Sequence, residues 1–423
     1  MAEPDGDNPA ERACAGRRPS ANTGMPSPST KRIHASLEPA RARLVARDDA
    51  ILRTQVALTE IPAPTGDEGN RGRWVANRFR ALGLADVHGD AAGNVIGWRD
   101  TERTRATRER APVVVCAHLD TVFPVETSLR VARNGTRLIG PGIGDNGRGL
   151  AAMLALAEEI DGERLRPARP IQFVATTGEE GAGDLRGVKH LFRSGAAAAA
   201  VIALDGAGDD RVVNRALGSR RFRIAFRGTG GHSWAAYGLP NAVHAAGYFT
   251  ARIASLAMPR CPRTTLSVCR IGGGLSVNSI PRDAWVEIDL RSTSQAVIGR
   301  VDMEIRALAH AAAEEENGRR TTGTEPLSVA IDVIGDRPCG ETPSDHPLVS
   351  MAMDATRCID REPELTVAST DANVPISRGI PAIGAGGRGG DAHSPAEWFD
   401  NAEGPLGIGR ALTIVMGAAT LAM

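Results

Sequence analysis

The sequence predicts an α/β fold: a mixed, mostly parallel sheet with helices on both faces, into which a ferredoxin-like α+β unit is inserted. Three observations carry this. Val113-Val114-Val115-Cys116-Ala117 is a short β-branched run, the mark of a strand buried on both faces of a parallel sheet, and it ends in His118-Leu119-Asp120. The pattern then recurs around a helical stretch at 150–160: residues 171–177 run into Gly178-Glu179-Glu180-Gly181, and residues 199–204 into Asp205-Gly206. Between 220 and 334 the order changes to strand 220–226, helix 241–256, strands 264–271 and 284–290, helix 295–316 and strand 327–334, which is the β-α-β-β-α-β order of a ferredoxin-like unit.

The other elements follow from local signals. Apolar residues recur at helical spacing over 44–58 until Pro62 and Pro64 break the run, and a second helix over 68–82 stops at Gly83. Gly93-Asn94 inside 87–98 signals a hairpin. Residues 99–110 mix acids and bases densely and read as a solvated loop. A helix at 348–359, a strand at 365–368 and a closing helix at 405–422 complete the chain. Residues 1–40 are rich in Pro, Ala, Ser, Gly and Arg without apolar periodicity and read as a disordered extension. The expected division is therefore catalytic domain over 41–214 and 336–423, with the inserted unit at 215–335.

Composition excludes several classes. The hydrophobic fraction is 42% and the charged fraction 24%, ordinary for a water-soluble globular chain of 423 residues. Aromatics make up 4%, with two Tyr, and the formal charge is zero, so neither base stacking nor a field for polyanions or membranes is provided. No segment reaches transmembrane length. The six cysteines show no CxxC pair, which suits reduced thiols of a cytoplasmic protein. Arg17-Arg18 is followed by no apolar run, which argues against export.

The chemistry lies at the strand ends. In open α/β sheets ligands collect beyond the carboxyl ends of the strands. There the chain offers His118, Asp120, Glu179, Glu180 and Asp205, joined by Asp145 in the glycine-rich stretch 140–149 and by His393 in Ala392-His393-Ser394-Pro395-Ala396-Glu397. The glycine-rich stretch lacks the Lys-Ser/Thr of a phosphate loop, and Asp145 would repel phosphate. Two histidines and several carboxylates with no cysteine among them suit Zn²⁺ in a catalytic site. So many acids call for two cations, which share a carboxylate and a water at about 3.5–4 Å separation. One carboxylate must then remain as general base.

Five blocks in order resemble the two-zinc exopeptidases and amide hydrolases that include peptidase T, glutamate carboxypeptidase, acetylornithine deacetylase and succinyl-diaminopimelate desuccinylase. They are His118-Leu119-Asp120-Thr121, residues 144–149, Gly178-Glu179-Glu180-Gly181, Leu204-Asp205-Gly206 and His393. The resemblance spans 41–423, and Ser369-Thr370-Asp371-Ala372-Asn373 is most similar to the peptidase T branch. It implies that His118 and Asp205 hold one zinc, Glu180 and His393 the other, and Asp145 bridges both, with Co²⁺ or Mn²⁺ as alternatives. Asp120 would orient His118. Glu179 would deprotonate a metal-bridging water and later protonate the leaving amine.

The resemblance also makes the inserted unit a lid and homodimerisation surface. His232, in Gly230-Gly231-His232-Ser233, would steady the oxyanion, and Asn278 and Arg291 would grip a substrate carboxylate. Asp371 would meet a substrate amine. The implied activity is zinc-dependent cleavage of small peptides at a chain end. N-deacylation of amino acids is the alternative, and a catalytically silent metal-binding protein is a third reading, disfavoured because Glu179 stands beside a complete ligand set.

Overall fold

The computed structural model describes residues 24–99, 110–161, 164–193, 195–206, 208–386 and 389–420. The chain divides into two compact units, one formed by Leu217–Gly340 and the other by the chain on either side of it, residues 24–216 and 341–420.

The larger unit is built on the strand Val113–His118, all six of whose residues are buried. Ile171–Thr176 and Ala200–Ala203 pair with it in parallel, one on each side. The sheet runs Ala85–Gly89, Val95–Arg99, Ile171–Thr176, Val113–His118, Ala200–Ala203, Ala382–Gly384 and Arg211–Ala216, with Glu364–Ala368 parallel to the last. Its first two strands form the antiparallel hairpin signalled by Gly93-Asn94. One side of the sheet is covered by helices that include Gly149–Glu159, Pro347–Arg357 and Leu406–Thr420, whose apolar residues share a core with Val113, Val115 and Phe173. On the other side, Val114, Cys116 and Val174 pack with Val188 and Phe192 of the helix Arg186–Arg193. A second, antiparallel sheet of four short strands joins Gly389–Gly390, Trp398–Asp400, Arg137–Ile139 and Ala132–Asn134.

The smaller unit is an antiparallel sheet in the order Thr264–Gly273, Asp283–Ser292, Gly218–Arg227, Ser328–Arg337, with helices Ala242–Ser255 and Gln295–Gly318. Phe222, Ile224 and Phe226 are buried at alternate positions and pack on Phe249 and Ile305 of those helices. Side-chain caps start both: Asn241 Oδ1 accepts from Val243 and His244 N–H, and Ser294 Oγ from Val297 N–H. Its chain order is the β-α-β-β-α-β expected.

The N-terminal expectation needs correction from residue 28 onward. Pro28–Ser36 and Glu38–Ala46 are helices, and Leu37 and Ala40 are buried in the main core. Ser27 caps the first through its Oγ, Pro28 occupies the first turn, and Thr30 donates to Asp354. The pairing of Ser27 with Pro28 is a helix start that the polar composition hid, and contacts with distant residues hold a helix of nine residues, short for stability on its own. Residues 1–23, with Arg17-Arg18, and 100–109 of the expected solvated loop lie outside the described residues.

Candidate metal centre

Strand register brings the candidate ligands to one level. His118 is paired with Thr176, so the two strands end together, and Glu179-Glu180 follow three and four residues later. Cys116 is paired with Ala203, which sets Asp205 two residues on, level with His118. Asp145 comes from the glycine-rich loop. A side chain at Gly149 would sit 2.2 Å from the Leu204 carbonyl oxygen and one at Gly147 2.3 Å from Thr59 Oγ1, so glycine is what lets this loop settle against the strand ends. Asn146 fastens it, donating to Leu204 O and accepting from Gly149 N–H.

His118, Asp145 and Glu180 each present a ligand atom, all within 4.8 Å of one another. Asp145 reaches both imidazoles, with Oδ1 2.9 Å from His118 Nε2 and Oδ2 3.2 Å from His393 Nε2. His393 Nε2 also lies 2.9 Å from Glu180 Oε1. A carboxylate that gives one oxygen to each of two imidazoles has the disposition of a bridging ligand. Asp205 Oδ1 accepts from Gly206 N–H, and Asp205 is close enough for the charges of Asp145 and Glu180 to act on it.

The electrostatics show a site that demands positive charge. Burial opposes charge on His118, but hydrogen bonds and charges of Asp120 and Asp145 outweigh it and lift its pKa well above the usual value. Hydrogen bonds to Asp145 and Glu180 raise His393 to about 10. Burial, then repulsion from Asp145 and Glu180, pushes Asp205 up to about 7. Despite burial, Asp145 is held below the usual carboxylate range by the two imidazoles. Two imidazole nitrogens and the carboxylates of Asp145 and Glu180, with Asp205 near enough to feel their charge, form a donor set that fits hard or borderline divalent cations.

A layer of supporting groups fixes these atoms. Asp120 is fully buried, and its Oδ1 and Oδ2 accept from the backbone N–H of Glu179 (3.0 Å) and Glu180 (2.9 Å). Oδ2 also accepts from Thr65 Oγ1, and Oδ1 lies 3.5 Å from His118 Nδ1. Despite burial, these contacts bring its pKa down to about 2. The Asp120 carboxylate thus holds the Glu179-Glu180 turn, and its backbone carbonyl oxygen lies 3.1 Å from His118 Nδ1, nearer than the carboxylate. Glu179 is 4% exposed beside it.

Sequence reasoning passed over other supports. Glu397, 1% exposed, accepts from the N–H groups of Gly142, Gly144 and Asp145. Glu68 accepts from Gly178 N–H and Arg186. Arg71, fully buried, donates to the carbonyls of Thr59, Ile61 and Leu119. Glu397 stands four residues after His393 in the same block and could have been found there; Glu68 and Arg71 read as ordinary helix surface.

The remaining candidates are placed as follows. Asp371 is 3% exposed, and its Oδ2 accepts from Thr176 Oγ1 at the end of the strand beside His118. His232, Asn278 and Arg291 belong to the smaller unit. The exposed His232 accepts the N–H of Trp234 (3.2 Å) at Nδ1, which leaves Nε2 as its donor. Asn278 accepts from Ser276 Oγ, and Arg291 Nε pairs with Asp289 Oδ2 at 2.6 Å.

A mixed α/β sheet whose strand ends converge two imidazoles and a ring of carboxylates defines a metal-dependent hydrolase. The sequence bears this out at family level: residues 114–416 match the family model "Peptidase family M20/M25/M40", and the chain belongs to that family. It is thus a hydrolytic enzyme acting on amide bonds. Among solved structures it is similar to the aminopeptidase PepT from Bacillus cereus ATCC 10987 (TM-score 0.70, 21% identity, 88% of this chain and 99% of that one). A tripeptidase from Staphylococcus aureus subsp. aureus Mu50 gives TM-score 0.71 and 21% identity over 88% and 99% of the chains. A dinuclear metal-binding peptidase of the M20 family from Bacillus subtilis gives 0.62 and 15% over 88% and 98%. No curated protein matches the sequence. Among the described residues no helix is long and apolar enough to cross a membrane.

Proposed function

We propose that the protein is a zinc-dependent exopeptidase of short peptides, with Glu179 as its general base. The observation that carries the reading is Asp145, shared between His118 and His393. In this reading His118 and Asp205 hold one cation, Glu180 and His393 the other, and Asp145 both. When bound, the cation pair polarises the scissile carbonyl and makes the attacking water more acidic.

The chain's own groups do the rest. Glu179, its backbone fixed by Asp120, takes a proton from the attacking water and returns it to the leaving amine. His232 acts as oxyanion donor through Nε2, consistent with an Nδ1 already engaged by backbone N–H groups. Arg291 and Asn278 take the substrate carboxylate; Nη1 and Nη2 of Arg291 carry no partner among the described residues, and its side chain is 39% exposed. The inserted unit serves as lid and as the contact surface of a homodimer, and the cytoplasm is the compartment.

The likeness in fold to an aminopeptidase and a tripeptidase favours peptide substrates over N-acyl amino acids. The test is a hydrolysis screen of di- and tripeptides against N-acetyl and N-succinyl amino acids, using zinc-loaded enzyme, metal-depleted enzyme and Glu179→Gln. Peptide cleavage that requires metal and falls at least about 100-fold in Glu179→Gln, with zinc content unchanged, is expected. Cleavage of N-acyl amino acids alone overturns the peptidase reading. Undiminished turnover in the variant removes Glu179 from its role.

A further inference from the structure

The two imidazoles of the centre are held by different means. His118 ends a buried strand, and the backbone and carboxylate oxygens of Asp120 lie 3.1 and 3.5 Å from its Nδ1. His393 sits in the loop 391–397, between the short strands Gly389–Gly390 and Trp398–Asp400, with its side chain 53% exposed. Its Nε2 faces Asp145 and Glu180, while its Nδ1 has no hydrogen-bond partner among the described residues. A ligating imidazole is normally aimed by a partner on its other nitrogen.

The direction of the His393 ring is therefore set by its backbone, and that backbone is uncommon. Asp391 and His393 both lie in the left-handed region, with φ of 56° and 64°. Such conformations persist where surrounding contacts over-determine them. Trp398 supplies those contacts. It pairs with Gly390 across the hairpin, and its indole lies so close that a side chain at Gly390 would meet Cζ2 at 2.7 Å. Its Nε1 donates to Asp391 Oδ2 at 3.1 Å, and Arg137 stacks over the ring with Cζ 4.3 Å from its centroid. Ser394 N–H in turn donates to Asp391 O at 3.2 Å. A continuous chain thus runs from the indole through Asp391 to the residue that follows His393.

We propose that Trp398 is a positioning residue of the metal centre, whose indole fixes the loop that aims His393 at the cation it shares with Glu180. This rests on the two-cation reading given above. The contacts of the Trp398 side chain run to Gly390, Asp391 and Arg137, so its replacement should disturb one metal position and spare the one held by His118.

Equilibrium dialysis of the full chain against buffered zinc, with metal counted per chain, tests this. The parent should bind two ions. In Trp398→Ala, affinity for one ion should fall at least about tenfold while the other stays within about threefold of the parent. Gly390→Ala should give the same selective loss, because the new methyl drives the indole off its place. It deletes no group, so it decides the matter where Trp398→Ala lowers the urea midpoint of metal-free protein. Asp391→Asn keeps an acceptor for the indole and a residue at ease with left-handed φ, and should retain both affinities. Parental affinity for both ions in Gly390→Ala, or equal weakening of both, refutes the positioning role and leaves the two-cation reading standing. A parent that binds a single ion overturns that reading and the proposal together.

Discussion

Replacing Asp120 by Asn probes how the centre is held together without touching a proposed ligand. Asp120 presents two acceptor oxygens to the N–H groups of Glu179 and Glu180, to Thr65 Oγ1 and to the His118 ring. Asparagine keeps one oxygen. Its NH₂ is best placed on the Oδ2 side, because Thr65 can redirect its hydroxyl to Thr121 O, 3.3 Å away. That orientation leaves the Glu180 N–H facing another donor. Losing a hydrogen bond to a charged acceptor costs about 1.5–3 kcal/mol, and a buried unpaired donor about 1–3 kcal/mol. The two descriptions overlap, so a loss of about 2–4 kcal/mol in unfolding free energy is expected by the same values. Glu180 moves with its backbone, while His118 keeps the Asp120 carbonyl oxygen 3.1 Å from its Nδ1 but loses the negative charge beside it. Supporting-layer changes of this kind lower metal affinity about 10–100-fold. Urea unfolding of metal-free protein reads the first quantity; equilibrium dialysis against buffered zinc reads the second. Stability within about 0.5 kcal/mol of the parent together with unchanged zinc affinity would refute the positioning role, since that is the scatter of an ordinary surface change.

Two further substitutions address the supports that the sequence concealed. Glu397→Ala strips the acceptor from three N–H groups of the loop carrying Asp145, and the net loss should be about 2–4 kcal/mol after relief of a buried charge, with zinc retention weakened at least about tenfold. A variant that keeps both properties would show that the loop stands without Glu397. Arg71→Met leaves the carbonyls of Thr59, Ile61 and Leu119 without their buried donor and should cost about 3 kcal/mol or more, read by urea unfolding. A loss below about 0.5 kcal/mol would contradict the assignment, because it is what an exposed side chain gives.

Much of the fold was legible because its strong signals are local. Val113–His118 announces a buried strand by its β-branched run, and its polar end marks the rim where ligands gather. The alternation of Phe222, Ile224 and Phe226 and the long helical period after Ser294 give the smaller unit element by element. Weak local signals were lost. The strands Ala132–Asn134, Arg137–Ile139 and Trp398–Asp400 have three residues each, too few for a period of two to register, and the pairing that joins the last to the local hairpin of the first two spans more than two hundred residues. The helix at Pro28–Ser36 is stabilised by Asp354, far along the chain.

In the centre itself, side chains that converge on one point could be collected from strand ends, since register follows from the parallel order. Of the groups that hold them, Asp120 and Glu397 stand in blocks already singled out, but Glu68 and Arg71 gave no signal. Arg71 and Arg148 are charged residues in or beside helices, where composition predicts solvent, and only the folded structure reveals that they are buried.

In the proposed centre a pair of cations shares Asp145. Crystals of the zinc-loaded enzyme measured on either side of the zinc absorption edge would test it most directly. Two anomalous peaks about 3.5–4 Å apart, each within bonding distance of one Asp145 oxygen, are predicted. A single peak, or a second one that Asp145 does not touch, would contradict it.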